Sequence, residues 1–176
     1  MESIRVSLPD GSVIEVPRAT TIRDLAARLS PRLAARAVLG LVDGAPHDLS
    51  YPITADANVA IADEASPEGL DAMRHTAAHI MAQAVLRLFP GTRLAIGPTI
   101  ADGFYYDFDK DGSFSPDDLA RIEAEMGRIV KEDLLIEREE MPTAEALKWL
   151  GDADEIYKSE LVQDLAAQGE QTVSLY

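Results

Sequence analysis

The chain has 176 residues and a formal net charge of −15, from 16 Lys and Arg against 31 Asp and Glu, and it contains no cysteine. Its length suits one large domain or two small ones. Without cysteine, disulfides and thiolate chemistry are excluded. A chain this acidic repels the phosphate backbones of nucleic acids. Tight nucleic-acid binding would therefore have to come from a small local patch or from the rest of a larger molecule. With no stretch near the roughly 18 apolar residues of a membrane span and no signal-peptide pattern, we expect a cytoplasmic location and no membrane partner.

Residues 1–63 are predicted to form a domain of their own. Four strand-like runs occur at Ile4–Leu8, Ser12–Val16, Ala37–Val42 and Val59–Ile61. Pro9-Asp10-Gly11 joins the first two runs and is a strong hairpin signal. A helix is predicted after Thr21, which forms a capping-box-like start with Asp24. Strands arranged in this order around one helix indicate an α+β protein that begins with a ubiquitin-like β-grasp domain.

A long helix is predicted at the start of the second domain, residues 64–176. The acidic segment 63–69 marks the boundary, Ser66 is the predicted N-cap, Pro67 occupies the first helical position, and Pro90-Gly91 ends the helix. Helical periodicity gives it one apolar stripe. The stripe comprises Leu70, Met73, Ala77, Ile80, Met81, Ala84 and Leu88.

His75 and His79 lie one turn apart on the opposite side of this helix, beside Ala78, Ala82 and Leu86. Apolar neighbours there predict a second covered surface, more like a cleft wall than a solvated face. Two imidazoles at this spacing can share a metal ion, a water or a substrate group. The pair lacks the Glu of a zinc-protease motif, so spacing alone also fits a structural role. The remaining histidine, His47, is predicted to be a turn residue.

The rest of the chain contains alternating strand and helix patterns. Strands are predicted at Arg93–Ile96, Phe104–Phe108 and Leu134–Arg138, and helices after Ser115, at Thr143–Leu150 and at Asp154–Ala167. In the aromatic strand, alternation places Phe104, Tyr106 and Phe108 on one face, as core or as a site wall. The helix after Ser115 has a predicted buried stripe. That stripe comprises Leu119, Ile122, Met126, Ile129 and Val130.

These motifs together resemble the amino-terminal part of threonyl-tRNA synthetases, and the resemblance covers the whole chain. Ser7–Ser12 and the β-grasp order resemble a TGS domain at residues 1–63. Four motifs in the family's order resemble its editing domain: Arg74–His79, Ala95–Pro98, Asp102–Asp107 and Tyr157–Leu161. The resemblance therefore implies an α+β editing domain of the threonyl/alanyl type at residues 64–176.

The resemblance implies hydrolysis of seryl-tRNA mischarged on the threonine tRNA. In the family the editing histidines, matched by His75 and His79, orient the 3′-terminal ester and a water, and the lysine matched by Lys158 supports hydrolysis. Tyr106 is matched to a wall of the pocket for the terminal adenosine, where stacking would serve. Neutral imidazoles can relay the proton of attacking water, and an ammonium can stabilise an oxyanion. Without the resemblance, Lys158 would be interpreted as a surface cation.

The implied partners are the acceptor 3′ end of the threonine-specific tRNA and the rest of a homodimeric synthetase. ATP, magnesium and zinc are expected only in the synthetic domain, so no cofactor or metal is expected here. The family's second editing motif, Cys-x-x-x-His closely preceded by an acidic residue, is expected after residue 176. We therefore expect the editing domain to be incomplete at its C-terminal end and its activity to depend on completion.

Two alternatives come from other classes of protein. The chain could be a non-catalytic TGS-containing binding or regulatory module, although such proteins lack the His-x-x-x-His and Tyr-Lys motifs. It could instead be a metal-dependent, free-standing aminoacyl-tRNA deacylase of the alanyl type. Catalytic zinc usually takes three protein ligands, and a pair of histidines supplies only two.

Overall fold

The computed structural model describes residues 2–136, 139–153 and 155–175. The chain divides into two compact units, residues 1–74 and 75–176, and the division falls inside the helix Pro67–Leu88. The first unit thus contains all of the first predicted domain and the start of that helix. No helix among the described residues is both long and apolar enough to cross a membrane.

The first unit is an α+β structure with a five-stranded sheet. Its elements are β1 (Ser3–Ser7), β2 (Val13–Pro17), β3 (Thr20–Thr21), α1 (Ile22–Leu29), α2 (Pro31–Arg36), β4 (Ala37–Val42), β5 (Ala45–His47), β6 (Pro52–Ile53) and β7 (Ala57–Asp63). The sheet order is β2-β1-β7-β4-β5, with β1 and β7 parallel and the other neighbours antiparallel. This arrangement confirms the predicted hairpin and the β-grasp fold.

The core of the first unit lies between α1 and the sheet. Ile22 and Leu25 of α1 are fully buried and cluster with Val6, Val16 and Val59 of the strands. The cap prediction is confirmed, because the Thr21 hydroxyl accepts a hydrogen bond from the Asp24 backbone N–H at 3.1 Å.

The prediction that His47 is a turn residue is wrong. His47 ends β5, pairs with Gly40 of β4, and stacks on Tyr51 with ring centroids 3.8 Å apart. A three-residue strand containing Pro46 has no periodicity of its own, so its conformation depends on the neighbouring strand β4. Helix α2 and the short pair β3–β6 were likewise not predicted.

The second unit combines four helices with three two-stranded sheets among its described residues. Its elements are α3 (Pro67–Leu88, whose first residues belong to the first unit), β8 (Arg93–Leu94), β9 (Thr99–Ile100), β10 (Gly103–Phe104), β11 (Phe108–Asp109), α4 (Pro116–Glu132), β12 (Glu139–Pro142), α5 (Thr143–Asp152), α6 (Ile156–Ala167) and β13 (Thr172–Leu175). The antiparallel pairs are β8–β11, β9–β10 and β12–β13.

Residues 93–109 form one irregular hairpin, in which β9 and β10 make the tip and β8 and β11 the base. Between them the Asp107 N–H donates to the Ile96 carbonyl at 2.8 Å. The predicted continuous strand Phe104–Phe108 is wrong, because residues 105–107 have no regular structure. Its predicted alternation is confirmed nevertheless: Phe104, Tyr106 and Phe108 are half-buried, and the residues between them are exposed.

Helices α3 and α4 share a small core around Ala84, Val85, Ile122 and Ile129. The predicted caps are confirmed: Ser66 Oγ accepts from the Gly69 N–H, and Ser115 makes a reciprocal capping box with Asp118. Four predicted stripe residues are exposed instead: Leu70, Met73, Leu119 and Val130. The buried side of α4 therefore differs from the prediction. It includes the carboxylate of Glu125, which is 7% exposed and pairs with Arg87 at 3.2 Å.

The predicted strand Leu134–Arg138 is wrong at residues 134–136, which the structure describes. Residues 134–136 have no regular structure and expose their apolar side chains, while residues 137 and 138 lie outside the described residues. The strand of this region is β12, which begins at Glu139 and pairs with β13. Both C-terminal helices are confirmed as α5 and α6. Asp154, the predicted start of the second, also lies outside the described residues.

Candidate functional site

The candidate site begins with the histidine pair on α3. The rings of His75 and His79 stack with centroids 4.7 Å apart and planes inclined by 13°. Ala78 and Ala82, on the same side of the helix, are 1% and 4% exposed, so the predicted covered surface is confirmed at the alanines. It is wrong for the rest of this side, because His75, His79 and Leu86 are exposed.

The surroundings of His79 favour its neutral form. Its side chain keeps an exposed edge, but burial of the rest of the ring lowers its pKa below the usual 6.5. The nearby His75 and then the charge of Lys158 lower the pKa of His79 further. His79 is therefore a neutral imidazole at pH 7, the form that can accept a proton.

Lys158 reaches this position from α6. Its ammonium Nζ lies 3.6 Å from a carboxylate oxygen of Glu155, three residues earlier in the chain. It is also close enough to His79 for its charge to be felt there. The structure thus brings three of the sequence-predicted site residues together from two helices.

Tyr157 fixes the start of α6 against the hairpin. Its hydroxyl donates a hydrogen bond of 3.0 Å to Oδ2 of Asp109, at the end of β11, and this bond raises the pKa of Tyr157. Consecutive residues of a helix project in directions about 100° apart, so Tyr157 can anchor the helix while Lys158 projects elsewhere. Its position beside the lysine in the Tyr-Lys motif was the available signal, although no role was predicted for Tyr157.

Tyr106 lies on the irregular part of the hairpin. Its half-buried ring stacks on Phe108 with centroids 4.9 Å apart and covers Gly97 on the opposite strand. A Cβ at residue 97 would come within 2.2 Å of the Tyr106 ring, so glycine is required there. Burial, and after it the charge of Glu155, raises the pKa of Tyr106. Tyr106 is thus placed near the carboxylate that pairs with Lys158.

Glu155 is the residue that sequence reasoning missed. Its carboxylate lies 3.6 Å from the ammonium of Lys158, and its charge raises the pKa of Tyr106, so it interacts with two of the predicted site residues. An acidic residue just before a helix is ordinarily explained by the helix dipole, so the position of Glu155 in the sequence does not indicate a role in the site.

A recess of the second unit borders this group of residues at Glu155 but does not contain the rest of it. A cavity of about 790 Å³ is lined by residues 88–93 and 109–111 together with Ala153 and Glu155, and it includes neither histidine, nor Lys158, nor Tyr106. Its lining mixes both signs of charge. Cavity size therefore does not identify the site, which is assigned from the chemistry of its side chains. In the part of the chain that the structure describes, no three His, Asp or Glu side chains converge as a metal site would require.

The chain is similar to known proteins over its whole length. Residues 4–63 match the TGS domain family. The threonine–tRNA ligase of Pelobacter propionicus is 48% identical over 176 residues, all of this chain, and that of Citrifermentans bemidjiense is 47% identical over the same length. The threonine–tRNA ligase of Carboxydothermus hydrogenoformans is 50% identical over 162 residues, 92% of the chain. The chain spans about a quarter of the length of these relatives, 26–27%.

Proposed function

From this similarity to threonine–tRNA ligases, which extends over the whole chain and includes a TGS domain, we propose that the chain is the amino-terminal part of such a ligase. We propose further that its second unit hydrolyses seryl-tRNA mischarged on the threonine tRNA. The observation that carries this proposal is the stacked histidine pair, in which the pKa of His79 is lowered by burial, by His75 and by the charge of Lys158.

The need for such hydrolysis follows from the chemistry of the two amino acids. Serine lacks one methyl group of threonine, and one methyl is worth only roughly 1 to 3 kcal/mol in a binding pocket. A synthetic site alone therefore discriminates too weakly. A second site that hydrolyses the wrong ester supplies the missing accuracy.

The proposed chemistry is attack of water on the carbonyl carbon of the seryl ester. The neutral His79 accepts the proton of the water as the new C–O bond forms, and the stacked His75 orients the ester and the water. The ammonium of Lys158 stabilises the negative charge that develops on the carbonyl oxygen. The tetrahedral intermediate then breaks its bond to the 3′-terminal ribose oxygen, which takes the proton back from His79 and leaves as a hydroxyl group, so serine and tRNA are released.

Tyr106 is proposed to bind the terminal adenosine of the tRNA. Its ring is held by Phe108 and the backbone of Gly97, and aromatic side chains stack on bases without needing a particular sequence. Because the chain carries a net charge of −15, most of the phosphate contacts must come from the remaining three quarters of the proposed ligase. The partners are therefore the tRNA 3′ end and the rest of the enzyme, including the parts through which it dimerises.

The proposed site works without a metal ion. A cation bound by the two imidazoles would lie close to the ammonium of Lys158, and like charges at that range repel. ATP, magnesium and zinc belong in this proposal to the synthetic domain. Stoichiometric zinc bound by the purified chain, and lost in His79→Ala, would support the metal-dependent deacylase instead.

The test is deacylation by the complete ligase carrying His79→Ala, with His47→Ala in the TGS domain as the matched control. We expect the rate of seryl-tRNA hydrolysis to fall at least a hundredfold, roughly the lower end of what a general base contributes, with aminoacylation by threonine unchanged. The His47 variant should retain both activities. Normal hydrolysis by His79→Ala would contradict the proposed site, whereas no hydrolysis by the wild-type ligase would favour the non-catalytic TGS-containing module.

A further inference from the structure

Glu155 occupies a rigid point between α5 and α6. Its backbone N–H donates to the Leu150 carbonyl at 3.0 Å, and its own carbonyl accepts from the Ser159 N–H at 2.9 Å. Both backbone groups are therefore held, one by each helix. The side chain is 29% exposed and needs little further ordering to hold a partner.

Lys158, in contrast, is a flexible side chain that is 39% exposed. A lysine ammonium on its four-carbon stem samples many positions unless an acceptor fixes it. Glu155 is the carboxylate in ion-pair contact with it among the described residues, at 3.6 Å. The pair has the i, i+3 spacing at which two side chains on a helix meet.

We infer that Glu155 is a positioning residue whose carboxylate, 3.6 Å away, holds the ammonium of Lys158 in the candidate site. The placement of Lys158 is a property of this chain and can be tested without any enzymatic activity. Its consequence for hydrolysis rests on the proposed function.

The pKa of His79 reports the position of Lys158. The charge of Lys158 lowers this pKa, so removing or releasing the ammonium raises it. If Glu155 holds Lys158 in place, Glu155→Gln releases the ammonium and the pKa of His79 rises. If other contacts hold Lys158, the same substitution leaves its charge uncompensated near His79, and the pKa falls or stays the same.

The experiment is an NMR titration of the histidine ring signals in the 176-residue chain. Glu155→Gln and Lys158→Met should each raise the pKa of His79, and the double variant should match Lys158→Met alone, because the two substitutions remove one effect. Glu155→Asp should give an intermediate value. The His47 signal, from the other unit, should be unchanged and serves as a check on folding.

Asp164→Asn is the matched control, with the same change of charge at an exposed position of α6. This variant should leave the pKa of His79 unchanged or slightly lower, because loss of a negative charge disfavours the protonated imidazole, and a rise equal to that in Glu155→Gln would overturn the inference. A fall or no change in Glu155→Gln would overturn it as well, and so would no rise in Lys158→Met.

In the complete ligase, Glu155→Gln should lower kcat for seryl-tRNA hydrolysis by about two- to fivefold, the factor that corresponds to losing a partly exposed ion pair. KM should change little, and Glu155→Asp should partly restore kcat. The two proposals fail separately. If His79→Ala abolishes hydrolysis but Glu155→Gln leaves the pKa of His79 unchanged, only the inference fails. If the titrations behave as expected but His79→Ala hydrolyses normally, only the proposed function fails.

Discussion

Gly97→Ala should destabilise the second unit through the ring of Tyr106. A Cβ at residue 97 would lie 2.2 Å from Cδ2, 2.4 Å from Cε2 and 2.8 Å from Cγ of Tyr106. Carbon atoms in contact normally lie about 3.5 to 4.0 Å apart, so the ring must move by more than about 1 Å. Because Cγ is also too close, rotation about χ2 cannot relieve the clash, and the whole ring must leave its place.

The displaced ring loses its stacking on Phe108, which lies 4.9 Å away. Such stacking is worth roughly 0.5 to 1.5 kcal/mol, and overpacking typically costs about 1 to 3 kcal/mol in total. We therefore expect the free energy of unfolding of the second unit to fall by about 1 to 3 kcal/mol. Urea unfolding followed by the fluorescence of Trp149 measures this, because the only tryptophan of the chain lies in that unit.

Two further variants sharpen the measurement. Gly127→Ala, in α4, meets nothing within 4 Å and should stabilise the unit by roughly 0.5 to 1 kcal/mol, the opposite sign. In a Tyr106→Ala background, Gly97→Ala should cost almost nothing, because the clashing ring is gone. The reasoning would be refuted by a Gly97→Ala protein as stable as the wild type, or by an equal loss with and without the Tyr106 ring.

Two other predictions concern charged groups of the second unit. The folded chain disfavours the protonated form of His79. The contribution of His79 to stability is therefore complete above pH 6.5, the unfolded pKa, and is lost as the pH falls through the lower folded pKa. The difference in unfolding free energy between wild type and His79→Asn should vary with pH in this window, whereas His47→Asn, in the other unit, should show no such variation when unfolding is followed by Trp149. Glu125→Gln should cost about 1 to 2 kcal/mol in the same urea assay, because this carboxylate is buried and pairs with Arg87 and Arg128. Glu132 is also paired with Arg87 but is partly exposed, so Glu132→Gln should lower the unfolding free energy by less, and by less still in high salt. Equal losses of unfolding free energy for the two glutamates would contradict the argument from burial.

Local features of the fold could be predicted from the sequence because they depend on residues close together in the chain. The caps of Thr21, Ser66 and Ser115 are confirmed, and each joins groups three residues apart. The hairpin of β1 and β2 and the strand Ala37–Val42 are confirmed for a similar reason, since turn residues and apolar alternation are local patterns. These signals, with the order of elements, were sufficient for the β-grasp fold.

Elements that depend on distant partners could not be predicted in this way. Strands β12 and β13 pair Glu139 with Leu175 and Pro142 with Thr172. β12 has no recognisable apolar alternation, and the alternation of β13 extends over only four residues. The predicted helix stripes failed at Leu119 and Val130 because periodicity identifies an apolar side of a helix but not how much of it a neighbour covers. Burial of Glu125 likewise depends on cations from α3 and α4.

For the candidate site, the residue types and one piece of geometry could be predicted from the sequence. The spacing of His75 and His79 required adjacent rings on one helix face, and the motifs singled out Lys158 and Tyr106. The folded chain was needed to show that the charge of Lys158 acts on His79, that Glu155 pairs with Lys158, and that Tyr106 covers Gly97. The physical reason is distance along the chain: helical geometry relates residues four apart, whereas residues about eighty apart meet only through the packing of α6, the hairpin and α3.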